Sequence, residues 1–224
     1  MTQLLSFSMF VIPLFLAIIL HEMAHGWAAL KLGDKTAQKA GRLTLNPIAH
    51  IDPVGTIFVP GFLFLSGSPF MFGWAKPVPV RFEALRDPKR DMGLVAIAGP
   101  LMNFLMAFVA VFILILFEKY LPGSFVFAWL KGNFQALFII SISLCAFNLF
   151  PMLPLDGGRI VVSLLPQKWA QTYSKTEQYG FLIFLLLLIG LPYLGRILNL
   201  NLDIIGAYMV WMRTGLLHII DWFI

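Results

Sequence analysis

The pattern His-Glu-x-x-His begins at residue 21 and places His21, Glu22 and His25 within about one helical turn of each other. Two histidines four residues apart on a helix share a face, so their imidazole nitrogens can bind one Zn²⁺. A glutamate beside such an ion can take a proton from a water that the ion polarises. These residue types at this spacing predict hydrolysis of a peptide bond.

A chance match is the alternative, because the pattern is short. Its surroundings argue against chance, since the motif directly follows an apolar run at residues 7–20. An ionisable side chain at the centre of a spanning helix costs about 2.5–3.5 kcal/mol on insertion scales. Three such side chains in one turn are expected only where they are paired or bind a metal. We therefore interpret the motif as a zinc site inside a membrane.

A tetrahedral catalytic zinc needs a third protein ligand besides the two histidines and a water. Six downstream side chains are candidates: Asp156, His50, Asp52, Asp203, His218 and Asp221. Asp156 is preferred, because Pro151 and Pro154 prevent a regular helix before it and the glycines at 157–158 allow a tight turn after it. A helix broken in this way is tolerated in a membrane where it lines a polar cavity. His50 is expected instead to order its loop by hydrogen bonding. The residues alone leave the choice of third ligand open.

The composition is that of an integral membrane protein. Hydrophobic residues make up 59% of the 224 residues, charged residues only 12%, and the mean hydropathy is +0.85, whereas a soluble domain is about 25% charged. We expect a single membrane domain over residues 1–224, with a catalytic core at 4–166 and C-terminal helices at 179–224. The single cysteine, Cys145, excludes a disulfide within the chain.

Four apolar stretches are long enough to span a bilayer, at residues 4–30, 93–117, 134–150 and 179–194. A fifth, at 204–224, either spans or lies on the surface. Residues 55–74 are apolar but interrupted by Pro60, Gly61, Gly67 and Pro69. A further span there would invert everything downstream, so we expect a re-entrant or interfacial segment.

Two short stretches have strand character. Residues 42–45 alternate in polarity, and residues 75–80 carry two prolines that suit an edge strand. Such an edge could pair with an extended substrate, although a plain loop strand without a partner is equally open. The predicted fold class is therefore a membrane all-α, polytopic helical bundle around a three-helix core, with short β-strands and a re-entrant segment at the cytoplasmic side.

The basic residues indicate the orientation of the chain. Nine of them lie between the first apolar stretch and the next long one: Lys31, Lys35, Lys39, Arg42, Lys76, Arg81, Arg86, Lys89 and Arg90. By the positive-inside rule this connection faces the cytoplasm. Acidic residues are interspersed and no patch of aromatic and basic residues stands out, so no nucleic-acid partner is expected. The first apolar run lacks a basic leader and continues into the motif, which predicts a retained helix and not a cleaved signal.

A second motif makes the chain resemble the site-2 protease family of intramembrane zinc metalloproteases. That family carries Asn-x-x-Pro-x-x-x-x-Asp-Gly downstream of His-Glu-x-x-His, and Asn148 to Gly157 match it in full. The family's small-residue motif corresponds to residues 98–103, Ala-Gly-Pro-Leu-Met-Asn. The resemblance covers about residues 4–166 and is greatest to the compact prokaryotic members without a PDZ domain.

The resemblance implies one Zn²⁺ per chain, held by His21, His25 and Asp156, with Glu22 as the catalytic acid and base. It further implies that Asn148 contacts the substrate backbone or the developing oxyanion, and Asn103 is expected to do likewise. The alternative for either asparagine is a hydrogen bond between helices, worth about 0.6 kcal/mol on average in a membrane.

The predicted function is that of an intramembrane zinc endopeptidase whose partners are membrane-anchored proteins and the lipid bilayer. We expect it in a prokaryotic plasma membrane, with the active site toward the cytoplasm. A catalytically silent membrane-protein binding module of the same fold is the alternative, but such a protein should have lost Glu22 or a ligand. A metal transporter is disfavoured, because residues 181–191 of the fourth span contain no polar side chain for an ion path.

Overall fold

The structure is a computed structural model that describes residues 3–66, 73–120 and 125–223. In these residues there are ten α-helices, numbered α1 to α10 in chain order: Gln3–Lys31, Thr36–Lys39, Val59–Leu65, Pro88–Tyr120, Phe125–Asn148, Asp156–Leu164, Gln167–Ser174, Gly180–Leu185, Leu191–Leu198 and Ile204–Phe223. Short 3₁₀ or π turns connect or extend several of them: Pro47–His50, Pro53–Phe58, Phe82–Ala84, Lys175–Tyr179 and Leu186–Gly190.

Four helical stretches among the described residues are long and apolar enough to cross a membrane. They are Phe7–Lys31, Pro88–Lys119, Phe127–Asn148 and Gln167–Leu198, and each contains or largely overlaps one of the four predicted spans. The last stretch runs from α7 to α9. Helix α10 has 20 residues but is not one of these four, so the choice between spanning and surface positions for residues 204–224 stays a prediction.

Helices α1, α4 and α5 pack against one another and form the core that holds the site, with α6 packed on α4 and α10 on α5. Small side chains let the three backbones approach closely, as is typical of helix packing in membranes. The buried cluster where α1, α4 and α5 meet consists of Ala17, Met106, Ala110 and Leu137. A second cluster joins α10 to α4 and α5, and it consists of Ala107, Ile142 and Ile220.

The predicted short β-strands are not present, because none of the residues that the structure describes lies in a strand. That part of the predicted fold class was wrong, whereas its all-α membrane character is confirmed. Residues 42–45 form a bend instead. The N–H of Arg42 donates to the Ala37 carbonyl at 3.0 Å, and the Thr44 carbonyl lies 2.8 Å from the His50 ring. Because the Arg42 N–H and the Thr44 carbonyl are engaged in these local contacts, they do not form β-ladder hydrogen bonds with a partner strand.

Residues 73–81, which we call the cover segment, form no helix and pair with no neighbouring strand. Pro77 and Pro79 have no N–H to offer to a ladder. Three N–H groups of the segment donate to separate acceptors: Trp74 to the Gly55 carbonyl, Lys76 to the His50 carbonyl and Val78, which lies between the two prolines, to the Glu22 carboxylate. Because these N–H groups are already engaged, the cover segment cannot act as the ordinary edge strand that the sequence predicted.

The predicted re-entrant segment begins with a π turn and continues into α3. The Asp52 side chain accepts hydrogen bonds from the N–H groups of Val54 and Gly55, at 3.0 and 2.7 Å, and so caps the turn. The apolar helix Pro53–Leu63 is shorter than the roughly 20 residues that a span needs. Gly67 and Pro69, on which the prediction partly relied, lie outside the described residues.

Candidate metal centre

Helix α1 places both histidines of the motif on its face toward α4 and α6. Their rings meet edge to face, with centroids 4.6 Å apart, and their Nε2 atoms lie 3.0 Å apart. Only 9% of the His21 side chain and 12% of the His25 side chain is exposed. The two Nε2 atoms therefore point to one common position in a largely buried environment.

Asp156 completes this arrangement from the first residue of α6. Its Oδ2 lies 3.2 Å from Nε2 of His21 and 3.3 Å from Nε2 of His25. The chain reaches this position through the non-helical residues 149–155, and Gly157 packs against the carbonyl oxygens of Leu149 and Phe150, where a Cβ would lie 2.3–2.4 Å away. Glycine at 157 is thus required for the close approach that brings the carboxylate to the histidines.

These three side chains fit a zinc ion. Ligand atoms about 2.0–2.1 Å from a tetrahedral zinc are separated from one another by about 3.3 Å, close to the observed 3.0, 3.2 and 3.3 Å. Asp156 Oδ2 is buried and has no hydrogen-bond partner, which is costly unless a cation satisfies it. The carboxylate also lies at a helix N-terminus, where the helix dipole favours negative charge. Among the residues that the structure describes, His21, His25 and Asp156 form the group of histidine, cysteine and acidic side chains that could hold a metal ion.

Glu22 lies beside this group but is not part of it. Its Oε2 accepts a hydrogen bond from the backbone N–H of Val78 at 2.7 Å. The Val78 side chain packs on Gly26, where a Cβ would lie 2.9 Å from Val78 Cγ1. The cover segment is thereby held across α1, with the Glu22 carboxylate on its inner side.

Two cavities meet at Glu22. One of about 410 Å³ is mostly apolar, with Ile18, Trp74, Phe147 and Phe184 in its walls. The other, of about 280 Å³, contains His25, Asp156 and Arg159 in its walls. Five residues line both cavities: His21, Glu22, Asn148, Pro154 and Leu155. Glu22 therefore lies in the shared wall where the two cavities adjoin.

The other predicted residues lie in different surroundings. Asn148 lines both cavities, and its Nδ2 donates to the Leu144 carbonyl at 3.1 Å. Asn103 is fully buried at 0% exposure, and its Nδ2 lies 3.1 Å from Nδ1 of His21. Of the alternative metal ligands, Asp52 caps a turn and Asp203 accepts from the Gly206 N–H at 2.8 Å, so both carboxylates serve local structure.

Sequence reasoning missed three groups at the site. The Val95 carbonyl lies 2.8 Å from His25 Nδ1, and the Val78 N–H binds Glu22. Arg159, in the wall of the smaller cavity, donates to Glu177 at 2.8 Å and lies 4.9 Å from the centre of the Phe82 ring. The first two are backbone groups, so the residue types at these positions give no indication of the contacts. The third could have been suspected, because it follows Asp156 by three residues on the same helix.

Comparison with known proteins agrees with the geometry of the site. Peptidase family M50 matches residues 9–131 and 123–191. The chain is 40% identical over 205 residues to the "Putative zinc metalloprotease YwhC" of Bacillus subtilis, which covers 90% of this chain and 83% of that protein. It is 27% identical over 181 residues to the "Putative zinc metalloprotease Rip2" of Mycolicibacterium smegmatis, covering 81% and 66%. No solved structure matches the chain.

An archaeal relative is more distant. The "Zinc metalloprotease MJ0392" of Methanocaldococcus jannaschii is 26% identical over 194 residues, which cover 84% of this chain but only 44% of that protein. The family match extends over both regions that carry the candidate ligands and confirms the resemblance inferred from the two motifs. Taken with the clustered ligands and the four apolar helices, it shows that the chain belongs to peptidase family M50 and is a multi-pass membrane zinc metalloprotease.

Proposed function

We propose that this metalloprotease hydrolyses peptide bonds in or near the transmembrane segments of membrane-anchored proteins. The observation that carries the proposal is the position of the site within Phe7–Lys31, the first candidate span. At a rise of 1.5 Å per residue, His21 lies roughly 15 Å along α1 from Lys31. If Lys31 marks the membrane interface, Glu22 and both histidines lie at the depth of the hydrocarbon.

The charge distribution supports an active site toward the cytoplasm. The site lies near the C-terminal end of α1, next to the connection that carries the nine basic residues. Helices α4 and α5 cross twice between α1 and α6, which returns Asp156 to the same side. The positive-inside rule places that side in the cytoplasm, and we propose the prokaryotic plasma membrane as its location.

The side chains of the site suit a single-step hydrolysis. Bound Zn²⁺ supplies Lewis acidity and lowers the pKa of a water molecule. Glu22 takes a proton from the attacking water as its oxygen bonds to the peptide carbon. As the carbon–nitrogen bond breaks, Glu22 returns that proton to the leaving amine, so that the products are a new amine and a new carboxylic acid, which keeps the second proton of the water until it ionises. Asn148, which lines both cavities, is placed to hold the substrate backbone during these steps.

The substrate must be extended when it is cut. A transmembrane helix satisfies its peptide carbonyls internally, so attack requires local unwinding. The apolar cavity at Phe147 and Phe184 is suited to the hydrophobic side chains of such an unwound segment. Substrates with glycine, proline or asparagine within the span should therefore be cut faster than uniformly leucine-rich spans.

The test uses purified parent and Glu22→Gln, each reconstituted in lipid vesicles and each assayed for bound zinc. Two single-pass substrates are compared, one with a helix-breaking Asn-Pro pair in mid-span and one with an all-leucine span, together with an unfolded soluble protein. Cleavage of the first substrate by the parent alone, with zinc in both proteins, supports the proposal. Cleavage restricted to the soluble protein would refute the intramembrane site of action but leave a zinc protease. Bound zinc with no cleavage at all would favour the membrane-protein binding module.

A further inference from the structure

One stripe of α4 lies behind both metal-binding histidines. Val95, Gly99 and Asn103 follow one another at intervals of four residues on this helix. The Val95 carbonyl lies 2.8 Å from Nδ1 of His25, and Nδ2 of Asn103 lies 3.1 Å from Nδ1 of His21. At Gly99 a Cβ would lie 2.3 Å from His25 Nε2 and 2.6 Å from His21 Cε1. The ring nitrogens that do not face Asp156 therefore both meet α4.

The contact to Val95 fixes the protonation of one ring. A backbone carbonyl can only accept a hydrogen bond, so Nδ1 of His25 must carry a proton. In the neutral ring Nε2 then holds a lone pair, and this is the atom that faces Asp156. A metal-binding histidine usually donates its other ring N–H to a carbonyl or a carboxylate, which orients the ring and fixes its tautomer.

The contact to Asn103 is compatible with either neutral tautomer of His21, because a side-chain amide has both a donor and an acceptor. When Nδ2 of Asn103 faces the ring, it donates a hydrogen bond and Nδ1 of His21 accepts it. The proton of the neutral ring is then on Nε2, so Nε2 has no free lone pair with which to bind a metal. In that setting Oδ1 of Asn103 is buried without a partner, which is unfavourable for a polar atom. If the Asn103 amide group is rotated by half a turn, Oδ1 faces Nδ1 of His21 instead.

We propose that Asn103 is a positioning residue for zinc, which selects the metal-binding tautomer of His21 by accepting a hydrogen bond from its Nδ1–H through Oδ1. Asn103 then does for His21 what the Val95 carbonyl does for His25. The two rings are held by one helix, and the missing side chain at Gly99 lets them lie against it. The inference concerns zinc ligation alone and does not depend on which substrate the enzyme cuts.

The surroundings of Asn103 distinguish this role from a substrate contact. Its side chain is fully buried, and it is absent from the walls of both cavities that meet at Glu22. A peptide in those cavities would reach Asn148 but not Asn103. The substrate-binding role expected for Asn103 from the sequence is therefore replaced here by the proposal of a role behind the metal.

The test compares zinc affinity in three variants of the full-length protein in detergent, by competition with a chromophoric chelator. Asn103→Leu keeps the approximate size but has no acceptor, and Asn103→Asp keeps the acceptor. Asn133→Leu is the matched control, because Asn133 also lies in a membrane helix and also has a buried Oδ1 without a partner. Loss of such a second contact typically weakens metal affinity 10- to 100-fold.

We expect a 10- to 100-fold weaker affinity for Asn103→Leu, with Asn103→Asp and Asn133→Leu within a few-fold of the parent. Nitrogen NMR of the zinc-loaded parent, labelled in its four histidines, should show His21 protonated at Nδ1 and metal-bound at Nε2. Parent-like affinity in Asn103→Leu would overturn the proposal, and so would zinc bound through Nδ1 of His21. If Asn103→Leu does not fold, the NMR result and retention of affinity in Asn103→Asp decide the matter.

Discussion

The backbone N–H of Val78 donates a 2.7 Å hydrogen bond to Oε2 of Glu22, 56 residues earlier in the chain. The carboxylate for which we propose the role of general base is therefore also an anchor for the cover segment. Pro77 and Pro79 on either side have no N–H, so Val78 offers the sole backbone donor of this tripeptide. One carboxylate thus couples the position of the cover segment to the chemistry of the site.

This coupling predicts different effects of two Glu22 variants on amide exchange. Glu22→Ala removes the acceptor, and hydrogen bonds to charged groups contribute about 1.5–3 kcal/mol, so exchange of the Val78 amide should accelerate roughly 10- to 100-fold. Glu22→Gln keeps a side-chain carbonyl oxygen and should show a smaller change, although we expect both variants to lose cleavage. Hydrogen exchange of a peptide covering residues 76–80 measures the effect. Equal exchange in the parent and Glu22→Ala would show that this bond does not hold the cover segment.

Gly99 should not tolerate a side chain. In Gly99→Ala the added Cβ would meet His25 Nε2 at 2.3 Å and His21 Cε1 at 2.6 Å, so the rings must move and the ligand geometry is lost. Alanine favours a helix over glycine by about 1 kcal/mol, so α4 itself should not suffer. We expect zinc affinity to fall at least about tenfold, together with cleavage.

The control for Gly99 is Gly215→Ala in α10, where a Cβ meets nothing within 4 Å. This variant should keep zinc affinity and cleavage and unfold at the same or a slightly higher temperature. Chelator competition and thermal unfolding of both variants provide the measurements. Retained zinc affinity in Gly99→Ala would mean that the rings do not lie against α4 as the structure places them.

Asp156 should be required for tight binding of zinc, and Asp203, which caps the start of α10, should not. Asp156→Asn replaces an anionic ligand with a neutral one, so we expect the dissociation constant for zinc to rise at least about tenfold. Asp203→Asn keeps a side chain that can cap α10, and asparagine caps helices as well as aspartate does. It should bind zinc like the parent.

The same samples test the dependence on the metal. Dialysis against a chelator should abolish cleavage by the parent, and added Zn²⁺ should restore it. If Asp203→Asn lost zinc while Asp156→Asn retained it, the third ligand would be misassigned. Zinc content by atomic absorption and the chelator competition provide independent readings of this outcome.

The parts of the site that depend on side-chain type and spacing could be predicted from the sequence. His21 and His25 are a helical turn apart, and the prolines and glycines around Asp156 indicate a broken helix. The apolar spans follow from hydropathy, because each is long enough to stand out from its neighbours. Local patterns of this kind need no knowledge of what packs against them.

Parts that depend on a distant partner could not be predicted in this way. Residues 75–80 have the composition of an edge strand, but the N–H groups of Lys76 and Val78 bond to the His50 carbonyl and the Glu22 carboxylate, and the sequence does not show these partners. The Val95 carbonyl is a backbone group and carries no signal at all. Asn103 was identified through the family's small-residue motif at residues 98–103, but the packing of α4 on α1 decides that it faces His21 and not the cavities.

Asp34, three residues after the end of α1, binds the C-terminal end of the cover segment at Arg81. Because this contact uses the charged carboxylate, it depends on pH. Its side chain is 1% exposed and accepts from the N–H of Thr36 at 2.8 Å and the N–H of Arg81 at 2.7 Å. Burial raises the pKa of the Asp34 carboxyl, but the hydrogen bonds from Thr36 and Arg81 outweigh burial and hold the pKa below its ordinary value. The carboxylate form is therefore the one that the fold prefers.

Because the folded pKa lies below the unfolded value of about 3.9, the stabilisation by Asp34 is complete above that value and is lost as the pH falls through the folded pKa. In Asp34→Asn an NH₂ group must face one of the two N–H donors, so we expect a loss of about 1–3 kcal/mol at pH 7. The difference from the parent should shrink below about pH 4, where the parent carboxylate also becomes protonated. Thermal unfolding in nonionic detergent from pH 3 to 8 measures this, with Glu83→Gln as an exposed, charge-matched control. A deficit that stayed constant down to pH 3 would show that the Asp34 charge does not hold the cover segment in place.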